Sequence, residues 1–266
     1  MKYSEKNEFD EKTNFLADMK REFIHQNIDF ISSKTIALDI GGAGGVLGGL
    51  LSFEVLKIYV CDIIDHQVKY SGEFPKLLVE KFGRNNLNLD LSKIEFHTAD
   101  AMNLPYRDNL FDLVVSNNVF EHIPEPNIAL KEALRVTKPG GIIYIKFDPV
   151  WTADTGGHFH HFVNEPWAHL IHSPEKYRSM MAESGADTAT VNEFPSAMNK
   201  KPVTYYRNNF PEILKNYGVK EFYYDSWSGC FDDSYLQHKN LNEAAKIMGL
   251  QPIDLLVRGF YFCIRK

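Results

Sequence analysis

The chain has 266 residues, 44% hydrophobic and 24% charged, with a formal net charge of −6. That predicts one globular domain, 1–266, enlarged by insertions. The acidic balance argues against a nucleic-acid surface, which needs a basic stripe. No apolar run is long enough to span a membrane, and the charged N-terminus lacks a signal core, so a cytoplasmic protein is expected. Cys61, Cys230 and Cys263 are far apart and form no Cys-x-x-Cys pair, as expected of reduced thiols.

Residues 1–33 place Phe15, Met19 and Phe23 at helical spacing, with Leu16 and Phe30 looser. They read as an N-terminal helical cap. The run from Thr35 to Ile40 reads as a buried parallel strand, and Gly41, Gly42, Gly44 and Gly45 follow at once as a tight turn. Val46 to Glu54 reads as a helix weakened by Gly48 and Gly49. Strand, glycine turn and helix predict a nucleotide-type site with helix N–H groups free for the ligand. No register fits Gly-x-Gly-x-x-Gly, and Gly-Lys-Ser/Thr is absent. The pattern Asp-x-Gly-x-Gly-x-Gly does fit, through Asp39, Gly41 and Gly45, with Ala43 in the middle glycine position.

A second strand, Val55 to Cys61, ends at Asp62, an acidic position suited to ribose hydroxyls. A helix is centred on residues 74–82. The third strand, residues 94–98, runs into Ala99-Asp100-Ala101-Met102-Asn103-Leu104-Pro105, and the fourth, 111–116, into Asn117-Asn118-Val119-Phe120-Glu121-His122-Ile123-Pro124. A helix over about 126–137, the turn Lys138-Pro139-Gly140-Gly141 and a fifth strand, 142–147, complete this half.

In this order, the five features resemble the class I S-adenosylmethionine (SAM) methyltransferases. The resemblance covers the core, 34–147. It implies SAM as cofactor, held by Asp39, Gly41, Ala43, Gly45, Asp62, Asp100, Ala101, Met102, Asn117 and His122. Asp100 would meet the adenine amino group, the next residue would offer an N–H to the ring, and Met102 would pack on its face. Asn117 would lie near the methyl group. The Ala43 departure would shift the ligand slightly from the backbone. Glu121 and His122 would begin the next turn, a pair that equally reads as fixing the loop.

After Phe147 the pattern departs. Residues 148–218 read as substrate-lid insertions: a loop with Trp151, Asp154, Gly156, Gly157, His158, His160, His161, Trp167, His169 and His172, then an irregular stretch from Thr188 to Asn209. The first leaves the sheet edge that faces the crevice in open α/β sheets. Gly156 and Gly157 would let it turn inward. Three readings of its histidines stand: a base or substrate contact at His158, His160 or His161, a metal site, or hydrogen bonds to loop carbonyls. With only Asp154 as an acidic partner and no oxygen-rich set, no metal is expected. Trp151, Trp167, Tyr205, Tyr206 and Arg207 are the candidate acceptor contacts. They suit a small polar molecule better than a lipid, and Arg178, Lys200, Lys201 and Arg207 would admit a phosphorylated one.

Helices over about 174–184, 209–217 and 235–248 and strands over 219–225 and 255–265 close the chain, with 219–266 as C-terminal strands and helix. By resemblance the fold is α/β: a Rossmann-like seven-stranded sheet with helices on both faces, its last strand antiparallel between strands five and six. The lid insertions follow strand five and precede strand six. The expected activity is methyl transfer to a small-molecule acceptor. A hydroxyl is favoured by the histidines, and a weak likeness to bacterial sugar and surface-polysaccharide methyltransferases points the same way. N- or C-methylation, a noncatalytic SAM-binding protein and a nucleotide-sugar or NAD enzyme stay open, as does a homo-oligomer. No nucleic-acid or membrane partner is expected.

Overall fold

The computed structural model describes residues 4–28, 31–42, 44–229 and 233–266. Ala43, Phe30 and Cys230 lie outside the described residues.

Helix α1 (Glu5–His25) is followed by β1 (Ile36–Ile40), α2 (Val46–Leu51), β2 (Lys57–Asp62), α3 (His66–Lys69), α4 (Phe74–Arg84) and β3 (Ile94–Thr98). Then come β4 (Phe111–Asn117), α5 (Pro126–Val136) and β5 (Thr137–Phe147). The insertion carries α6 (Ala168–Ile171), α7 (Pro174–Glu183), α8 (Thr188–Glu193) and α9 (Val203–Asn216). The chain ends with β6 (Glu221–Ser228), α10 (Asp233–Leu236), α11 (Lys239–Met248), α12 (Pro252–Leu255) and β7 (Val257–Arg265).

The sheet has the order β3-β2-β1-β4-β5-β7-β6. Strands β1 to β5 pair in parallel, and β7 is antiparallel to both β5 and β6. β1 and β4 are apolar and buried on both faces, as central parallel strands require. The order reverses between β1 and β4, and a crevice opens at such a switch point.

One face is sealed by α1, α2 and α4. α1 starts at Ser4, whose side chain accepts from the Asn7 N–H, and it buries Phe9, Phe15, Leu16, Met19 and Phe23. Phe15 meets Tyr144 of β5, with ring centres 5.3 Å apart. The other face is covered by α5 and α9. A third cluster lies outside the sheet. Trp151, Phe159, Trp167, Tyr177, Met181 and Phe194 pack there with Leu241, Ala244 and Leu255. The C-terminal helices α11 and α12 therefore belong structurally with the insertion.

The stretch from Thr188 to Asn209 is not irregular. Asp187 caps α8 by accepting from the Thr190 N–H at 2.8 Å, and α9 begins at Val203. Pro195, Pro202 and a Val-Thr-Tyr-Tyr run of modest helix formers hide these helices in sequence. Burial of Val203, Tyr206, Phe210 and Leu214 on one face of α9 overrides that preference. The Lys138–Gly141 turn sits inside β5: Thr137 pairs with Phe111 before the register shifts, and Gly140 has φ +77°.

Candidate functional site

The crevice is built around the turn after β1. Gly41 has φ +75°, and a Cβ there would overlap the side chain of Val119. A Cβ on Gly42 would overlap Val60 and come within 2.6 Å of Asp39 Oδ2. Glycine is needed for both backbone shape and space. Within the turn itself, most N–H groups are engaged. Gly41 and Gly42 donate to the Cys61 carbonyl at 2.8 and 3.1 Å, and Gly45 donates to Gly42. What these glycines provide is close approach to backbone.

Two cavities meet at Gly41, Asn118 and His122. One, of about 440 Å³, is walled by Asp62, Ile63, Asp100, Ala101 and Met102. Asp62 Oδ1 accepts from the Ile64 N–H at 2.8 Å, which holds the carboxylate at the end of β2. Asp100 Oδ1 accepts from the Met102 N–H at 2.8 Å, a local turn that fixes its loop.

The other cavity, of about 450 Å³, is polar: Asp39, Lys12, Glu11, Asn117 and His158 are among its walls. Asp39 is 1% exposed, and its Oδ2 has no hydrogen-bond partner among the described residues. Burial pushes its carboxyl up to about 7, against the pull of Lys12. Lys12 Nζ reaches Asn117 Oδ1 at 2.8 Å, and Asn118 donates to Glu11 at 3.2 Å. These bonds tie α1 across the crevice to the loop after β4. Glu8, Glu11 and Lys12 were missed in the sequence because charges at helical spacing usually mark a solvated face. Their signal was their place at helical spacing beside the buried Phe9, Phe15 and Leu16 of α1.

The insertion brings only some of its candidates to the crevice. His158 lines the polar cavity, its ring centre 5.0 Å from that of His122. Burial pushes its imidazole down to about 4, with His122, His160 and His161 adding to the fall. His160 and His161 are exposed and line neither cavity. His169 serves structure: its Nε2 lies 2.7 Å from the Trp151 carbonyl, and burial lowers it to about 4.

The five candidate acceptor contacts line neither cavity. Trp167 is fully buried, and its indole N–H donates to the Leu255 carbonyl. Trp151 packs against His169, with ring centres 4.8 Å apart. Tyr206 is buried against Phe147 and donates to the Phe120 carbonyl at 3.3 Å. Tyr205 packs beside Tyr206, under the Lys201 ammonium. Arg207 pairs with Asp254 at 2.6 Å. A Cβ on Gly156 would overlap the Trp151 carbonyl, and one on Gly157 would crowd His169. Those glycines let the loop close on itself.

Residues 38–145 match the family described as "Methyltransferase domain". An uncharacterized methyltransferase of Mycobacterium leprae (strain Br4923) is 43% identical over 63 residues, 24% of this chain and 23% of the relative. One of Mycobacterium tuberculosis (strain ATCC 25618 / H37Rv) is 44% identical over 63 residues, 24% of each chain. The match thus spans about a quarter of these relatives. Among solved structures, phosphoethanolamine N-methyltransferase 2 of Haemonchus contortus in complex with S-adenosyl-L-methionine is similar with a TM-score of 0.56 and 17% identity. That match covers 100% of this chain and 58% of that one. The fold is that of the class I methyltransferases, and SAM is the cofactor of that class. The crevice fits it: a backbone cradle that a Cβ would fill, a cavity with two acidic loops on one side, and on the other a polar cavity where one oxygen of a buried carboxyl has no partner among the described residues.

Proposed function

We propose that the protein is a SAM-dependent methyltransferase whose acceptor is a hydroxyl of a small polar molecule, such as a sugar or phosphorylated metabolite of bacterial surface-polysaccharide synthesis. The observation that carries the reading is the placement of Asp39, Asp62 and Asp100 on one two-lobed crevice divided at Gly41. SAM, when bound, supplies an electrophilic methyl group on a sulfonium. Asp62 would hold the ribose, and Asp100 with Met102 the adenine. The Gly41 and Gly42 backbone would border the methionine part. The chain's contribution is to align the acceptor with that methyl group and exclude other geometries, the main source of rate in such a displacement.

Polar walls favour a polar acceptor, and Lys12, Lys69 and Lys81 on the same lobe suit an anionic group such as a phosphate. These lysines take over the role expected of Arg178, Lys200, Lys201 and Arg207. A second reading, an amine acceptor, draws support from Glu8 and Glu11 on that lobe. Incubation with SAM and panels of hydroxyl and amine acceptors, read as release of S-adenosylhomocysteine, tests both. Release with hydroxyl compounds is expected. Release with amines alone would replace the oxygen reading, and SAM binding without release would favour a noncatalytic protein. Among the described residues no helix is long and apolar enough to cross a membrane. A cytoplasmic enzyme of small molecules, without a nucleic-acid or membrane partner, is part of the proposal.

A further inference from the structure

We propose that the trench between α1 and the outer strands β7 and β6 seats a second sugar ring, so that the acceptor is a glycan of at least two sugar units. This rests on the reading of the crevice as a methyl-transfer site.

The trench follows from where α1 packs. Phe15 and Phe23 meet Tyr144 of β5, with ring centres 5.3 and 6.3 Å apart. Farther out on the same face, residues of β7 and β6 wall an open space with α1. Two cavities lie there, of about 280 and 520 Å³, and they share Arg21, Glu22 and Tyr261.

Strand register joins this trench to the polar lobe. Asn117 of β4 is paired with Lys146 of β5, Lys146 with Tyr261 of β7, and Tyr261 with Asp225 of β6. Paired residues point to one face of a sheet, so these four side chains form one row. At about 4.8 Å per strand, the row spans roughly 14 Å. Asn117 lines the polar lobe, and Lys146 and Tyr261 line the trench. α1 follows the same course: Glu11 and Lys12 face the lobe, and Asp18, Arg21 and Glu22 face the trench. A chain with one sugar in the lobe would continue along this row.

The walls have the chemistry that recognises sugars. A Cβ on Gly259 of β7 would lie 2.4 Å from Trp227 Cζ2, so the indole of β6 lies across β7 where no side chain stands. Tyr223 and Tyr261 stand on the same face, with ring centres 5.8 Å apart, and Tyr223 is 44% exposed. The C–H face of a pyranose packs on such rings, while its hydroxyls need both donors and acceptors at the rim. Asp18 and Glu22 accept there, and Arg21 and Lys146 donate. Their charges are matched: Asp18 pairs with Lys146 at 2.5 Å and also with Arg21, and the Tyr261 hydroxyl donates to Glu22 at 3.4 Å. A phosphate would find no excess of positive charge on these walls. An apolar partner would find no aliphatic side chain among the described wall residues. A neutral, hydroxyl-rich ring fits both conditions.

An array of defined glycans, from monosaccharides to hexasaccharides, tests the seat on the protein without cofactor. The wild type should bind chains of two or more sugars and bind single sugars more weakly. Trp227→Ala should lose roughly tenfold in affinity, the worth of one aromatic face, and Trp227→Phe should keep most of it. Tyr223→Ala, at an exposed position that folding does not depend on, should also bind more weakly. No glycan bound by the wild type, single sugars bound as tightly as chains, or unchanged binding in both alanine variants would overturn the seat. A wild type that sediments as a dimer beside a monomeric Trp227→Ala would give the face to a second copy of the chain and overturn it too. With SAM and a glycan selected on the array, Trp227→Ala should raise KM about tenfold and leave kcat near wild type. An unchanged KM would remove the trench from the acceptor site. Failure of the wild type to bind SAM would instead overturn the methyl-transfer reading, an outcome that the cofactor-free array keeps separate.

Discussion

The loop from Asn117 to Pro124 and the loop from Asp148 to His172 leave the same edge of the sheet, one after β4 and the other after β5. The first has one histidine, His122, and places it on both lobes of the crevice. The second has five, and only His158 reaches a crevice wall. A long insertion must first bury its own apolar surface. Here Trp151, Phe159 and Trp167 build a separate core, and His169 is spent bonding a carbonyl within it. The short loop rests on a finished sheet and can give its polar groups to the cavity. Residue type alone therefore misleads in the insertion more than at the sheet edge.

The comparison breaks most visibly if the insertion's core is removed. Trp167→Ala is expected to cost roughly 3–5 kcal/mol, read by urea unfolding, because a fully buried indole leaves a cavity. A variant of unchanged stability with altered acceptor preference would return Trp167 to the substrate site.

Next in size is Asp39. The folded carboxyl titrates at about 7, raised by burial from an ordinary value of 3.8. Between those values the folded chain holds a proton that the unfolded chain releases, so stability falls as pH rises through this window. Asp39→Asn should be more stable than wild type at pH 8, by up to about 4 kcal/mol, and nearly equal near pH 4. Equal stability at both pH values, measured by denaturant unfolding, would show that Asp39 is not held this way.

Gly41→Ala comes third. Left-handed φ and the Val119 side chain leave no room for the methyl group. SAM affinity should drop at least tenfold, about 1.4 kcal/mol. Wild-type affinity would mean that the turn can move aside. The smallest effect is expected at Arg207, whose part-exposed guanidinium pairs with the buried Asp254 away from both cavities. Arg207→Ala should cost less than about 1 kcal/mol and leave SAM affinity unchanged. A large loss of affinity would put α9 back at the ligand.

The centre of the sheet was legible because β1, β2 and β4 are largely apolar runs closed by glycines or polar residues. Asp39, Asp62 and Asp100 each follow from strand-end position, which local sequence specifies. The helices of the insertion were less so: Val203 to Tyr206 disfavours helix locally and is helical because its buried face demands it. Trp167 and Tyr206 resembled binding residues for the same reason that they make good core, a large ring with a polar tip that finds a carbonyl. Lys12 and Glu11 adjoin the apolar stripe of α1, but their partners on the loop after β4 depend on how α1 crosses the crevice, which spacing cannot report.

The central claim, that this crevice holds SAM through the strand-end carboxylates, is tested most directly by calorimetric titration of the wild type and Asp62→Ala. The wild type should bind SAM and S-adenosylhomocysteine at one site and give no binding heat with NAD. Asp62→Ala should bind SAM more weakly by roughly 1.5–3 kcal/mol, the worth of lost charged hydrogen bonds. No binding of SAM by the wild type, or equal affinity in the two proteins, would contradict the account.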